Sequence, residues 1–428
     1  MRRRVVVTGY GMITPLGRST EESFDNCTRG RSGIDYISSF DVTGLPCQVG
    51  GEVRDEWLNA GEAHLDARIL KYSSRGLRMI ALAAREAASQ ANLDAISQRE
   101  RIGVSLGTFG EPPALEDVAC LHRFYDSRCG WDLEGLMLQG GPPSFHFFRR
   151  KPDVTSSGLA RLFDCRGVNY TTASTCAAGA QAIGEAVGLI RAGKCDVMVA
   201  GGCEATLNFT GFIGFVLLKA LAERYTMPRS ASRPFDRKRN GFVMSEGAAV
   251  VILEELGHAQ RRGAPVLGEI LGYGASSDAY RITDSHPQGE GTEIAIRAAL
   301  ADACLQPEDV EYINAHGTST VKNDSAESAA IKRVFGERSK DLPVSSNKSM
   351  LGHSIAASGA IELVLTLVGM NRSIILPTIN YEFPDPKCDL WLVPNEAIHS
   401  EHRIALSNSF GFGGQNACLC VGKGESEG

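Results

Sequence analysis

The chain has 428 residues, 43% of them hydrophobic and 22% charged, proportions typical of a soluble globular protein with two or three core-forming units. Its net charge of −6 argues against a general nucleic-acid-binding protein. Its 12 cysteines show no CxxC pair or regular framework, which favours the reducing cytoplasm over a disulfide-linked or metal-bound fold.

The first residues predict a strand rather than a targeting segment. Three arginines precede a short apolar run that ends at Gly9, so residues 4–8 are expected to form a buried strand and not a signal peptide. No uninterrupted apolar run approaches about 18 residues, and no membrane span is expected. Small and apolar residues at helical spacing predict a helix over 70–92, and residues 101–106 predict a second strand.

The next stretch, 110–163, is predicted to be irregular. It contains a Gly-Gly-Pro-Pro turn at 140–143 and an aromatic and basic cluster at 145–151. We interpret the stretch as an excursion that covers or lines a site. The alternative is a surface loop with solvated charges.

The segment 170–186 predicts a nucleophile. It begins as a β-prone run, breaks at Ser174 and Thr175, and continues in small residues suited to a closely packed helix. Cys176 falls in the first predicted helical turn, where unpaired backbone N–H groups and the helix dipole favour a thiolate. Strand, tight turn and helix in this order resemble a nucleophile elbow. Because such a cysteine is by itself more often a core residue, the interpretation depends on partners elsewhere in the chain.

The second part of the chain reads as a degenerate copy of the first. Residues 268–274 echo residues 5–11, and a later helix and strand repeat the earlier order. This duplication predicts an α/β protein of two similar halves, 1–258 and 259–428. Because sites in such folds lie at the carboxyl ends of the strands, the elbow and the matching loops of the second half should converge.

Two of the nine histidines are candidate partners of the cysteine. His316 lies in Asn314-Ala-His-Gly-Thr318, directly after a predicted strand, and His353 lies in Lys348-Ser-Met-Leu-Gly-His353, at a loop-to-helix junction. A lone histidine is usually structural, but two glycine-flanked histidines opposite an elbow cysteine favour a function. Lys348 lies five residues before His353, and a lysine in a loop of glycine and serine is by default exposed to solvent. The glycine loop Asn408-Ser-Phe-Gly-Phe-Gly-Gly-Gln-Asn416 precedes a strand and lacks the context of a dinucleotide site.

In this order, these motifs resemble those of β-ketoacyl-acyl carrier protein synthases of the elongating type II class, within the thiolase-fold condensing enzymes. The resemblance covers nearly the whole chain. It implies an α/β, thiolase-like fold of two duplicated βαβαβαββ halves in an α-β-α-β-α arrangement. It also implies that Cys176 accepts an acyl group from a carrier-protein thioester. Malonyl-carrier protein then loses carbon dioxide and extends the chain by two carbons in fatty acid biosynthesis.

The resemblance also implies roles for individual residues. His316 and His353 would donate hydrogen bonds to the enolate oxygen, and Lys348 would support them in a charge network. The backbone N–H groups of Cys176 and Phe410 would form the oxyanion hole, and Phe410 resembles the gate between the acyl pocket and the malonyl site.

Further residues match binding positions of the family. Thr318 and Thr320 would hold the pantetheine arm, and Phe215 and Phe412 are expected among the substrate-binding residues. Acyl carrier protein would dock near four basic residues, namely Arg68, Lys71, Lys219 and Arg224. A homodimer is implied.

No cofactor or metal is expected, except that some family members hold a monovalent cation near the positions of Asn314 and Glu362. Two residues beside the motifs depart from the family pattern. Thr175 precedes the cysteine where alanine is common, and Gln415 replaces a frequent threonine.

Other classes of protein would require a different set of residues in the chain. A thiolase would need a second, C-terminal cysteine in a Cys-x-Gly-Gly-Gly context, which is absent. A non-catalytic chain-length factor would lack the nucleophile, and a cysteine peptidase would not need the Lys-Ser-x-x-Gly-His loop. A polyketide or specialised-lipid ketosynthase stays open, and acyl chain length does not follow from the sequence.

Overall fold

The computed structural model describes residues 2–62, 66–281 and 284–424, and ten strands form the sheet at its centre. In chain order they are β1 Val5–Ile13, β2 Ile102–Gly107, β3 Asn169–Thr172, β4 Val197–Glu204, β5 Gly247–Glu255, β6 Gly268–Ser277, β7 Tyr312–Asn314, β8 Val344–Ser345, β9 Ile404–Phe410 and β10 Gln415–Lys423. Their order across the sheet is β8-β7-β9-β10-β6-β1-β5-β4-β2-β3.

The order of the strands repeats. Within the first half the strands lie in the order first, fifth, fourth, second, third, and the second half has the same order. In each half the fifth strand is antiparallel to its neighbours, and the other four run in one direction. The halves join through two residue pairs between β1 and β6, Val6 with Glu269 and Val7 with Gly268. The predicted duplication is confirmed, while the exact division at residue 258 stays a prediction.

Six helices link these strands and complete the βαβαβαββ order of each half. They are α1 Arg75–Gln90, α2 Pro152–Leu162, α3 Ala178–Arg191, α4 Glu290–Ala303, α5 Val321–Phe335 and α6 Ile355–Arg372. Helices α3 and α6 pack against each other and contact strands of both halves. Helices α1 and α2 cover the outer face of the first half, and α4 and α5 cover that of the second. The result is the predicted five-layered, thiolase-like arrangement.

Helix α6 is apolar on every side because it lies in the middle layer. Among the described residues it is the one helix long and apolar enough to cross a membrane, yet 89% of it is buried inside the protein. Its hydropathy is that of a core helix packed between the two halves of the sheet.

Paired glycines explain why the amino-terminal strands of the two halves look alike in sequence. A Cβ at Gly9 or Gly11 on β1 would lie 2.1 Å from a carbonyl oxygen of α1. The same holds in the second half, where a Cβ at Gly272 or Gly274 on β6 would meet carbonyl oxygens of α4 at 2.2 and 2.1 Å. Each outer helix therefore rests directly on the backbone of its strand.

Two predictions about secondary structure were wrong. The excursion 110–163 is regular: it contains the helices Leu115–His122, Leu133–Gln139, Ser144–Phe148 and α2, and a hairpin of Tyr125–Asp126 with Gly130–Trp131. Instead of one helix over 70–92, a short helix, Ala67–Leu70, precedes α1. The break occurs at Ser74, whose hydroxyl accepts a hydrogen bond from the Leu77 N–H and caps α1.

The other elements are short and lie outside the repeated pattern. The remaining helices are Thr20–Thr28, Asp55–Glu62, Phe209–Leu217, Leu256–Arg261 and Lys348–Leu351, and the remaining strand pairs are Asp35–Tyr36 with Val49–Gly50 and Ile374–Ile375 with Ile398–His399.

Candidate active site

The turn before α3 presents the cysteine as the sequence predicts. Strand β3 ends at Thr172, a single 3-10 turn covers Thr175–Ala177, and α3 follows at once. Thr175 has φ of +49°, a conformation that β-branched residues rarely adopt. Cys176 lies in this turn and is only 3% exposed.

The two predicted histidines meet the cysteine from the other half of the chain. His353 Nε2 lies 3.1 Å from Cys176 Sγ. The His316 ring stands nearly perpendicular to the His353 ring, with centroids 5.2 Å apart. The thiol sulfur and one nitrogen of each ring lie within 4.8 Å of one another. The structure therefore brings together the three residues that the sequence singles out.

His353 owes its orientation to a serine that sequence reasoning missed. Its Nδ1 atom lies 2.9 Å from Ser358 Oγ, one turn into α6. A hydroxyl can either donate to Nδ1 or accept from it, so both neutral tautomers of His353 are supported. The nitrogen that faces Cys176 can consequently carry a proton or receive one.

The His316 loop is held by a buried glutamate of α5, also missed. Glu327 accepts hydrogen bonds of 2.8 Å from the backbone N–H groups of His316 and Gly317, and one of 3.2 Å from Asn408 Nδ2. Burial raises the pKa of Glu327 to about 7, although these hydrogen bonds oppose the rise. The one feature of the sequence that could have pointed to Glu327 is that this charged residue lies among small residues of α5.

Lys348 is buried rather than solvated, so the default expectation for a lysine in such a loop was wrong. It forms an ion pair with Glu362 of α6, and both side chains are nearly inaccessible. Burial raises the pKa of Glu362 to about 7, against the opposing charge of Lys348.

Both histidines and the thiol are neutral at rest. Burial, together with the positive charge of Lys348, lowers the pKa of His316 and His353 well below the ordinary value. Burial raises the pKa of Cys176 to about 11, and a hydrogen bond from the Phe412 backbone and the charge of Lys348 only partly offset it. The expectation that the helix terminus favours a thiolate is therefore corrected: burial has the largest effect on the pKa of Cys176, and it favours the neutral thiol.

Aromatic rings close the site. The Phe410 ring lies 5.7 Å from the His316 ring, and the Phe412 ring lies 6.5 Å from Phe215. Phe242, which sequence reasoning missed, contacts His353 at 5.3 Å. The sequence assigns an oxyanion N–H to Phe410, whereas the backbone groups that act on the thiol are those of Phe412 and of Cys176 itself. The role of the Phe410 N–H stays a prediction.

A narrow cavity of about 30 Å³ reaches Cys176 and both histidines from the side of Thr318 and Thr320. The two threonine hydroxyls lie 2.9 Å apart. Ser285 and Asn323 also line this cavity, and neither was expected there.

Comparison with known proteins identifies the family. The model of the β-ketoacyl synthase N-terminal domain matches residues 2–259, and that of the C-terminal domain matches residues 267–382. The chain belongs to the β-ketoacyl synthase family. A relative from Synechocystis sp., 3-oxoacyl-[acyl-carrier-protein] synthase 2, is 41% identical over 99% of this chain and 98% of its own length.

Solved structures of ketosynthases are also similar to this chain over nearly its whole length. A β-ketoacyl synthase from Burkholderia phymatum STM815 is 32% identical, with a TM-score of 0.87 over 99% of this chain and 100% of that one. The ketosynthase of a type II polyketide synthase, solved in complex with its acyl-carrier protein and bound to the hexaketide, is 33% identical with a TM-score of 0.86 over the same shares of each chain.

The predicted docking residues of this β-ketoacyl synthase are exposed where they are described. Lys71, Lys219 and Arg224 are exposed, and the side chain of Arg68 lies outside the described part of the chain. Lys219 follows the helix Phe209–Leu217, which carries Phe215 to the site.

Three buried amide or carboxylate oxygens of this β-ketoacyl synthase have no hydrogen-bond partner among the described residues: Asn314 Oδ1, Glu362 Oε2 and Asn408 Oδ1. Asn314 is held in place through its amide, which donates to Asn347 Oδ1 at 2.8 Å and to Thr366 Oγ1 at 3.1 Å. Amide and carboxylate oxygens are the ligands that hard cations prefer, so these atoms fit a monovalent cation.

Proposed function

We propose that this β-ketoacyl synthase condenses malonyl-acyl carrier protein with an acyl group carried on Cys176 and lengthens the chain by two carbons. The observation that carries the proposal is the contact of 3.1 Å between Cys176 Sγ and His353 Nε2, with the His316 ring facing it. A nucleophile and two neutral ring N–H donors are what a decarboxylative Claisen condensation requires.

Acylation starts from the neutral thiol. As the Cys176 sulfur attacks the thioester carbonyl, its proton passes to His353 Nε2. The carbon–sulfur bond to the carrier arm then breaks, and the departing thiolate takes that proton. Backbone N–H groups at the start of α3 and in the glycine loop would stabilise the oxyanion.

Decarboxylation uses the histidines as donors. When the malonyl carboxylate leaves as carbon dioxide, its bonding electrons pass into an enolate on the thioester oxygen. Hydrogen bonds from His316 and His353 would stabilise that oxygen. Burial, with a smaller contribution from the charge of Lys348, lowers the pKa of both rings and favours their neutral form. The enolate carbon then attacks the acyl group, and the carbon–sulfur bond to Cys176 breaks. The departing Cys176 thiolate is protonated from solvent, because the overall reaction consumes one proton.

Acyl carrier protein is the proposed partner. Thr318 and Thr320 at the entrance would hold the pantetheine arm. Lys219 and Arg224, with Arg68 and Lys71, would attract its acidic surface. Leu217 and Leu218 beside Lys219 are 76% and 56% exposed and would add apolar contact.

The remaining proposals concern setting and assembly. A monovalent cation held by Asn314, Glu362 and Asn408 would brace the loops behind the histidines, and no chemical step requires it. We also propose a homodimer in the cytoplasm.

Fatty acid elongation is the first candidate pathway, because the Synechocystis relative, at 41% identity, is named 3-oxoacyl-[acyl-carrier-protein] synthase 2. Polyketide synthesis is the second, because a polyketide ketosynthase has the same fold at 33% identity.

Intact-mass analysis tests the function. The protein is incubated with acyl carrier proteins that carry acyl groups of graded length, and each transfer adds the mass of one acyl group. We expect loading on Cys176 in the wild type and none in Cys176→Ala, which should still decarboxylate malonyl-carrier protein. Absence of loading with every acyl group, or condensation by Cys176→Ala, would refute the proposal.

A further inference from the structure

The residue before the nucleophile holds the glycine loop beside it. Thr175 Oγ1 donates a hydrogen bond of 2.7 Å to the carbonyl oxygen of Phe412. Phe412 lines the same narrow cavity as Cys176, and its backbone is one of the groups that lower the pKa of Cys176 against the larger effect of burial. One residue of the loop is thus tied to two consecutive residues of the elbow.

The loop has little preference of its own for this position. Gly413 and Gly414 have φ values of +91° and +74°, a region that glycine enters without steric cost. A Cβ at Gly411 would lie 2.1 Å from Thr175 Oγ1, so glycine is required for the approach. Inside the loop, the Gly411 N–H donates to the Gln415 carbonyl at 2.7 Å and the Gly414 N–H donates to the Gly411 carbonyl at 3.1 Å. Neither bond involves the Phe412 carbonyl, which accepts from the Thr175 hydroxyl instead.

The two departures from the family pattern meet at this point. Gln415 Oε1 lies 3.5 Å from Thr175 Oγ1, at the limit of a hydrogen bond. A hydroxyl has one proton, and at 2.7 Å the Phe412 carbonyl is the better acceptor. Alanine at the position of Thr175 would have no group to make this bond.

We propose that Thr175 is a positioning residue whose hydroxyl fixes the Phe412 peptide against Cys176 and thereby sets how readily the thiol reacts. The inference rests on the proposed role of Cys176 as acyl acceptor. It goes further by assigning control of the thiol to the preceding side chain.

Alkylation of the full chain by iodoacetamide tests the inference without any substrate. The thiolate displaces iodide, so the rate at each pH follows the thiolate fraction and the access to sulfur. Thr175→Val keeps the β-branched shape and removes the hydroxyl, whereas Thr175→Ser keeps the hydroxyl. Gln415→Met removes the more distant acceptor and leaves the Phe412 carbonyl in place.

Rates are measured by mass spectrometry at Cys176 between about pH 7 and about pH 9. We expect Thr175→Val to react about tenfold more slowly throughout, which corresponds to a thiol pKa about one unit higher. Thr175→Ser and Gln415→Met should react at nearly the wild-type rate. Complete labelling at long times checks that every molecule retains a reachable thiol.

Three results would overturn the inference: a wild-type rate in Thr175→Val, an equally slow Thr175→Ser, or a slow Gln415→Met. Failure of the proposed function has a different signature. In that case no acyl-carrier thioester would load the wild type, while iodoacetamide would still alkylate Cys176 more slowly in Thr175→Val than in the wild type.

Discussion

His353 and His316 lie differently with respect to the nucleophile, and this difference separates their contributions. His353 Nε2 is 3.1 Å from Cys176 Sγ, whereas His316 faces the His353 and Phe410 rings. Only His353 is placed to take the thiol proton during acylation. Both rings are placed to serve as donors to an enolate.

We therefore expect His353→Ala to slow both acylation and decarboxylation, and His316→Ala to slow decarboxylation alone. Removal of one donor to a developing oxyanion typically costs about 10²- to 10³-fold in rate. Single-turnover acyl transfer and release of carbon dioxide from malonyl-carrier protein measure the two steps separately. Equal loss of acylation in both variants would contradict this division.

Glu204 is a further residue whose pKa is changed by burial in the folded protein. It ends β4, and its carboxylate accepts hydrogen bonds from the N–H groups of Ala205, Thr206 and Ala356 at 3.0, 3.1 and 3.3 Å. Burial raises its pKa from 4.5 to about 8 despite these bonds. The folded protein therefore keeps a proton that the unfolded chain loses in this range.

Because the folded pKa is the higher one, the contribution of Glu204 to stability is complete below about pH 4.5 and is lost as the pH rises to about 8. Each unit of the shift corresponds to about 1.4 kcal/mol. Glu204→Gln should flatten this part of the pH dependence of the free energy of unfolding, measured in urea. Glu308→Gln, which alters an exposed carboxylate, should give a free energy of unfolding whose pH dependence is parallel to that of the wild type. Parallel curves for all three proteins would contradict the assignment.

At the scale of elements, the glycines of β1 and β6 allow each outer helix to contact a strand backbone directly. A Cβ at Gly274 would lie 2.1 Å from the carbonyl oxygen of Ala295 on α4. Neither backbone can yield without moving the whole helix. The sequence echo between the two halves therefore reflects a steric requirement.

Gly274→Ala should lower the free energy of unfolding by about 1–3 kcal/mol, the usual cost of overpacking. The control is Gly188→Ala in the exposed part of α3, where a Cβ would meet nothing within 4 Å. There alanine should stabilise by about 0.5–1 kcal/mol, because glycine is the poorer helix former. Urea unfolding of the two variants compares them directly. Equal stability of the two would contradict the role given to Gly274.

The sequence predicts those elements whose pattern is local. Cys176, His316 and His353 lie in recognisable motifs, and all three are found together. Ser358 and Glu327 lie only five and eleven residues from the histidines that they contact, whereas Phe242 reaches His353 from far along the chain. None of these three residues belongs to a motif, so nothing in the sequence distinguishes them from ordinary helix and core residues.

The helices of 110–163 were missed for a related reason. They are short, and the glycines and prolines in them interrupt the helical spacing of apolar residues. One begins at a side-chain cap, where Asp132 accepts a hydrogen bond of 2.8 Å from the Gly135 N–H. Another, α2, begins with a proline in its first turn.

At the scale of the whole molecule, the surface around the excursion combines a sheet edge with exposed apolar side chains. Strand β3 is an edge of the ten-stranded sheet. The excursion precedes it and exposes several large apolar side chains: Trp131 is 54% exposed, Leu133 62%, Met137 85% and Leu138 79%. Exposed apolar groups and an unpaired edge strand are typical of a surface that another chain covers. A second copy of this chain is the proposed cover.

Replacing both Met137 and Leu138 by glutamate should therefore yield a folded monomer. The two side chains are already exposed, so the charges cost little in one chain, whereas two pairs of carboxylates at a dimer interface would repel each other and resist desolvation. Light scattering coupled to size-exclusion chromatography measures the mass against concentration. Ile294→Glu on α4, at a position 56% exposed on the opposite outer layer, should leave the dimer intact. A wild-type protein that is monomeric at micromolar concentration, or a dimer that survives the double substitution, would show that this surface is not the interface.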